Sequence, residues 1–217
     1  MVKMTTFKDR DDWLNARGKR IGGSDAASVM GMNPWMNNVD LWRIKTWKKP
    51  QEDVSDNPAV RFGTKAEKHI RELFRLDHPE LKVEYKENNL WTNSDMPYAH
   101  ASLDGWLYDS RGRFGVLEIK TSTIVSQAQR DKWQPKEMPK NYFCQCLHMM
   151  NVTGAEFVYL RGYLRYDFDG EFWAHVKEYY FERSEVEDSL RELKDAEEKF
   201  WQYVLEDREP PLLLPGI

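Results

Sequence analysis

Two strand-like segments, Ala101 to Tyr108 and Phe114 to Thr121, face each other across the turn-forming run Asp109-Ser110-Arg111-Gly112-Arg113. No other feature constrains the chain as much. Apolar residues with interspersed polar ones on both sides of such a turn predict a β-hairpin. If the loop is Ser110-Arg111-Gly112, with Gly112 left-handed as in a three-residue hairpin, Asp104 falls opposite Glu118. Glu118 and Lys120, two apart on one strand, share a face, while Ile119 points the other way. The hairpin thus gathers two carboxylates and an ammonium in one patch. Carboxylates held together repel unless a cation lies between them, and Mg²⁺ takes a few carboxylates, keeps waters and binds phosphate oxygens. Lys120 could orient or deprotonate an attacking water, or offset charge building up on a phosphate. The pattern equally describes an exposed hairpin with a surface Glu/Lys pair, because Glu-x-Lys is common. The rest of the chain has to decide between them.

At 217 residues the chain suits one domain, 1–217, with a sizeable core. No apolar run approaches the roughly 20 residues that cross a bilayer, and Met1 to Thr6 has no signal-peptide core, so a soluble cytoplasmic protein is expected. Cys144 and Cys146, two apart in a predicted helix, face different ways and read as reduced packing residues. Two cysteines also exclude an iron-sulfur cluster held by four thiolates. With 32 Lys+Arg against 36 Asp+Glu the formal charge is −4, which argues against a nucleic-acid partner in general. A nuclease needs acidic metal ligands, however, and a basic path can coexist with an acidic exterior.

Along the chain, Thr5 or Thr6 can cap a short helix, Phe7 to Leu14. The cationic, glycine-rich run Asn15 to Gly31 then leads into a helix capped by Ser24 or Asp25 and closed by Gly31. Free N–H groups at a helix start, a hydroxyl and nearby arginines make an anion site, although an ordinary loop-to-helix junction fits the same residues. It is not a Walker loop, since G-x-x-x-x-G-K-[ST] is absent. Val39 to Trp47 predicts a second helix, and Lys48 to Asn57 a loop. Asn57-Pro58 opens a long amphipathic helix to about Asp77, with Glu67 near its middle. Leu81 to Tyr85 and Asn89 to Thr92 read as strands ahead of the hairpin.

After Lys120 the pattern predicts a polar helix, Thr123 to Lys132, and a better-defined one, Lys140 to Asn151, stopped by Gly154. Ala155 to Leu164 and Phe172 to Phe181 read as strands around an Asp167-Phe168-Asp169-Gly170 turn. Ser184 and Glu187 form a capping box for a last helix, Glu185 to about Leu205. The tail Pro210 to Pro215 carries an apolar run that packs on the domain or on a neighbouring subunit. The whole is a mixed α/β (α+β) domain. Histidines 69, 78, 100, 148 and 175 lack zinc-site spacing, and there is no G-x-S-x-G elbow.

Five short motifs then occur in order: Arg17 seven residues before Ser24 around Ile21-Gly22-Gly23, Phe62-Gly63-Thr64-x-x-Glu67, Ser102-x-Asp104-Gly105, Glu118-Ile119-Lys120 and Gln145-x-x-His148. Together they resemble the phage lambda exonuclease and YqaJ-type viral recombinase family of PD-(D/E)XK nucleases, over about Trp13 to Leu164. The family's usual proline before the aspartate is Leu103 here, and nothing beyond Leu164 matches a motif. The resemblance implies a restriction-endonuclease-like fold, a central mixed β-sheet flanked by helices. It implies that Asp104, Glu118 and the Ile119 carbonyl bind Mg²⁺, with Mn²⁺ able to substitute, and that Lys120 and Glu67 position or activate the attacking water. Arg17, Ser24, Ser102 and Gln145 match the positions that hold a 5′-phosphate. Such enzymes digest one strand of duplex DNA ends 5′ to 3′ as a ring-shaped homotrimer, and they supply a single-strand annealing protein with 3′ overhangs. The expected setting is a bacterial host cell, with phage or prophage coding. Two rivals stand beside this: an endonuclease of the same superfamily, and a non-catalytic DNA-end-binding subunit.

Overall fold

Strand β6 (Phe114–Ile124) is the axis around which the chain is arranged, because it has a partner of each direction. The computed structural model describes residues 1–135, 137–168 and 171–213. In chain order the elements are β1 (Val2–Thr6), α1 (Arg10–Gly18), α2 (Gly23–Val29), α3 (Asn38–Lys45), α4 (Pro58–Asp77), β2 (Lys82–Glu84), β3 (Asn89–Asn93), β4 (Met96–Ala101), β5 (Gly105–Tyr108), β6, α5 (Gln127–Arg130), α6 (Lys140–Thr153), β7 (Phe157–Phe168), β8 (Glu171–Glu182) and α7 (Glu187–Leu205). A five-stranded mixed sheet has the order β2-β5-β6-β7-β8, and a smaller antiparallel sheet the order β1-β3-β4. Among the described strands of the two sheets only the β6–β7 pair is parallel, and parallel neighbours need a crossover, which α6 supplies.

The expected hairpin forms. Tyr108 pairs with Phe114 and Gly105 with Leu117, and Gly112 sits at φ +78°, so the register sets Asp104 opposite Glu118. The first strand is shorter than expected, however. Met96–Ala101 belongs to the small sheet, and the chain crosses to the large one through Ser102-Leu103-Asp104. A local pattern cannot show that one apolar run is shared between two sheets.

Side chains from the two faces of β6 feed two cores. Leu117 and Ile119 pack with Ile70 and Phe74 of α4, while Val116 joins the larger cluster built on α2, α6 and α7. The long helix α4 begins as predicted, with Asn57 Oδ1 accepting from the Ala59 amide at 2.9 Å ahead of Pro58. Cys144 and Cys146 are buried free thiols. Among the described residues no helix is long and apolar enough to cross a membrane.

Several local expectations need correction. Residues 2–6 are a strand paired with Asn89–Asn93, and the first helix starts at Arg10, where Asp9 Oδ1 accepts from the Asp11 amide at 2.7 Å. Asp9 is the better cap because its carboxylate, unlike Thr5 or Thr6, lies just before the turn. Helix α2 is capped by Gly22, and Asp25 reaches back to accept from the Gly22 amide at 2.9 Å. The polar helix Thr123 to Lys132 shrinks to Gln127–Arg130, since pairing with β7 extends β6 to Ile124. Ser184 caps nothing: Arg183–Glu185 form a 3₁₀ turn, Glu182 N–H donates to Glu185, and the last helix starts at Glu187. Residues 169 and 170 of the expected turn lie outside the described residues. As far as Leu213 the tail packs on α3, with Asn38 bonding the Pro211 carbonyl at 2.8 Å and the Leu213 amide at 2.9 Å.

Candidate active site

Asp104, Glu118 and Lys120 come together as the hairpin register requires. The Ile119 amide donates to Asp104 Oδ2 at 2.9 Å, and Lys120 Nζ lies 2.6 Å from Glu118 Oε1. Glu118 is 1% exposed, and its Oε2 is buried without a hydrogen-bond partner. Glu67, Asp104, Glu118, Ile119 and Lys120 line one cleft of about 1110 Å³. Glu67 reaches it because Gly63 lets α4 approach the strand. A Cβ on Gly63 would stand 3.0 Å from Thr121 Oγ1, so the helix and β6 pack closely at the turn before Glu67.

The electrostatics follow from crowding anions out of water. Burial, then the neighbouring Asp104 charge, pushes the Glu67 carboxyl up to about 7 and the Glu118 carboxyl up to about 8. Burial also raises Asp104, against the pull of Lys120. Burial alone would lower the Lys120 ammonium, but Glu118 and Asp104 outweigh it and hold the group protonated. Arg71, buried on α4, bonds Glu67 Oε1 at 2.7 Å and lies 3.5 Å over the Tyr85 ring. Such a set suits a divalent cation: mutually repelling carboxylates, and a buried oxygen with nothing to bond. Asp104, Glu118 and the Ile119 carbonyl are the donors available. Among the described residues no three His, Cys, Asp or Glu side chains gather as a metal cluster.

Of the four phosphate candidates, Arg17, Ser102 and Gln145 line the cleft and Ser24 does not. Arg17 stacks 4.3 Å over Trp13, and burial lowers its pKa while Asp25 and Asp104 oppose that. The Ser102 hydroxyl is buried without a partner. Gln145 Nε2 donates to Glu118 Oε1 at 2.7 Å. Ser24 is exposed at the start of α2, beside Gly23, where an added Cβ would meet Gln145 Cγ at 3.1 Å. His148, one turn after Gln145, faces inward instead, bridging Glu197 at 2.6 Å and the His100 carbonyl at 2.8 Å.

The cleft is lined by six cations, Arg10, Arg17, Lys68, Arg71, Arg75 and Lys120, against five carboxylates, Glu67, Glu72, Glu87, Asp104 and Glu118, in a chain whose total is −4. The lining thus comes close to charge balance, with Arg71, Arg75 and Lys120 ion-paired to Glu67, Glu72 and Glu118. One positioning residue escaped sequence reasoning. Buried Asn89 accepts from the Leu103 amide and donates to the Leu103 carbonyl, both at 2.9 Å, fixing the link that carries Ser102 and Asp104. A lone asparagine in a strand pattern gives no local sign of this.

The fold and site define a mixed-sheet α+β domain with an acidic, lysine-bearing centre at the end of its hairpin. It is the fold of the alkaline exonucleases. The crystal structure of an alkaline exonuclease (LHK-Exo) from Laribacter hongkongensis superposes with a TM-score of 0.64 at 18% identity, covering 91% of this chain and 93% of that one. That of a phage-related exonuclease from Haemophilus somnus 129PT gives 0.57 at 13% identity, covering 89% and 98%. Residues 12–156 match the YqaJ-like viral recombinase domain, and the chain belongs to that family. It is 31% identical over 148 residues to the uncharacterized protein YqaJ of Bacillus subtilis (strain 168), across 68% of this chain and 44% of that protein. The chain therefore matches less than half the length of that relative.

Proposed function

We propose that the protein is a Mg²⁺-dependent exonuclease that degrades one strand of double-stranded DNA from its 5′ end and leaves 3′ overhangs for recombination by strand annealing. The observation that carries this is the convergence of Glu67, Asp104, Glu118 and Lys120 in one cleft that also exposes Arg17. The exonuclease names of the structural relatives support it, as does the crystallisation of LHK-Exo with dAMP, a nucleotide of the class that stepwise cutting releases.

Asp104, Glu118 and the Ile119 carbonyl would hold Mg²⁺. When bound, the ion supplies charge stabilisation for the phosphate and the departing 3′ oxygen. Lys120 stays protonated, so it orients the water and offsets charge on the phosphate. Glu67, poised at about 7, accepts a proton near neutral pH. Arg17 and Ser102 hold the terminal phosphate, while Gln145, donating to Glu118, keeps that carboxylate in place beside them. A site that contacts phosphate carries no base preference. A trimeric ring around DNA, an annealing protein as recipient of the overhang and action in a bacterial cytoplasm complete the proposal.

The test is digestion of a linear duplex labelled at either end, with 5′-phosphate or 5′-hydroxyl termini, with and without Mg²⁺. Loss of the 5′-labelled strand, faster with phosphate and absent without metal, is expected. Internal cuts indifferent to end chemistry would make it an endonuclease, and binding without cuts an end-binding subunit.

A further inference from the structure

A second cavity, of about 740 Å³, lies between the β7–β8 arm and the segment 127–135, on the same sheet face as Glu118 and Lys120. Lys120 pairs with Gly162, Ser122 with Leu164 and Ile124 with Tyr166 in the parallel register, so the cavity runs along β7 beside Lys120, and its wall at Tyr166 lies four residues, about 13 Å, along from that lysine. Its wall is a cross-strand pair, Tyr166 and Trp173, with ring centroids 5.5 Å apart and planes within 3°. Trp173 is 50% exposed, an indole face offered to solvent. Arg130 and Lys177 line the same cavity, and among the described residues neither is in an ion pair; the one carboxylate in the lining, Asp131, accepts from Gln127 Nε2 at 2.6 Å.

The cavity is built, not incidental. Trp133 fills the space over Gly162, where an added Cβ would come within 2.4 Å of its ring, and the Tyr179 hydroxyl donates to the Gln134 carbonyl at 2.7 Å. Trp133 also connects it to the catalytic centre. Its ring lies 5.5 Å from Tyr142, and Tyr142 lies 5.1 Å from Lys120 Nζ. Flat aromatic faces beside cations outside any ion pair match the two needs of a nucleic-acid strand: stacking for bases and charge for phosphates. Bases inside a duplex are already stacked on each other, which leaves single strands as the ligand. The volume falls in the range of small-ligand sites and suits one or two bases.

We propose that this cavity is a single-stranded DNA site, in which bases stack on Trp173 and Tyr166 while Arg130 and Lys177 hold the adjacent phosphates. The inference rests on the reading of the protein as a DNA exonuclease, but it can fail or hold separately. Binding of a fluorescein-labelled 12-mer of deoxythymidylate is measured by anisotropy in EDTA, so that nothing is cut, for the wild type, Trp173→Ala, Trp173→Phe and Lys177→Glu. Trp173→Ala and Lys177→Glu should each weaken binding about tenfold, with Trp173→Phe close to wild type. Circular dichroism and removal of the first nucleotide from a 5′-phosphorylated duplex should stay unchanged in all three. Equal affinity of wild type, Trp173→Ala and Lys177→Glu overturns the site, as does a wild type that does not bind the oligonucleotide. A variant that changes only the oligomeric state also overturns it, and makes the patch a contact between copies. Oligonucleotide binding through Trp173 by a wild type that cuts no DNA would keep the site and sink the exonuclease.

Discussion

Gln145 donates to the same Glu118 oxygen that Lys120 approaches, at 2.7 and 2.6 Å. By resemblance Gln145 holds a phosphate, yet here it steadies a carboxylate assigned to the metal. Gln145→Ala should therefore raise the Mg²⁺ concentration for half-maximal cutting by about 10- to 100-fold, the usual cost of losing a group that orients a metal ligand. A purely phosphate-holding Gln145 would instead erase the preference for 5′-phosphate ends and leave the Mg²⁺ requirement where it was.

Asp104→Ala and Lys120→Ala should each lower cutting by about a thousandfold or more while duplex binding and the far-ultraviolet spectrum persist, since transition-state charge stabilisation is lost and the cations of the cleft remain. Turnover at the wild-type rate by either variant would refute the assignment.

The raised carboxyls make stability depend on pH and metal together. Burial, aided by Asp104, lifts Glu67 to about 7 and Glu118 to about 8 from an ordinary 4.5. The folded chain thus keeps protons that the unfolded chain has released. Metal-free stability from these groups is greatest below 4.5 and falls as pH rises through 7 and 8. On the proposed reading Mg²⁺ would bind ionised Glu118, so saturating Mg²⁺ should raise Tm more near pH 8.5, roughly three units above a comparison at about pH 5.5, than at the lower pH. Equal gains at both pH values, read by differential scanning fluorimetry, would remove Glu118 from the metal site.

Asn89→Ala strands the Leu103 amide and carbonyl, both bonded at 2.9 Å in the native fold. Each unpaired buried group costs about 1–3 kcal/mol, so a loss of about 2–6 kcal/mol in urea unfolding is expected, together with slower cutting, since Asp104 is the next residue. A change under about 0.5 kcal/mol would show that Asn89 is not the clamp.

What the sequence settled by itself were features written in local chemistry. A turn with glycine at a left-handed position fixed the register that sets Asp104 against Glu118, and the period of two in a strand put Lys120 beside Glu118 and Ile119 behind them. Asn57-Pro58 marked the start of α4 to the residue, because cap and proline act within one turn. Tertiary structure decided what depends on distant partners. Whether Met96 to Tyr108 was one strand or two depended on sheets assembled from segments far apart, and Val2–Thr6 became a strand only because Asn89–Asn93 was there to pair with it. Gln145 on Glu118, Asn89 around Leu103 and Trp133 over Gly162 are likewise meetings of residues far apart in the chain. A side chain's type says what it can bond, but only packing says which partner it meets.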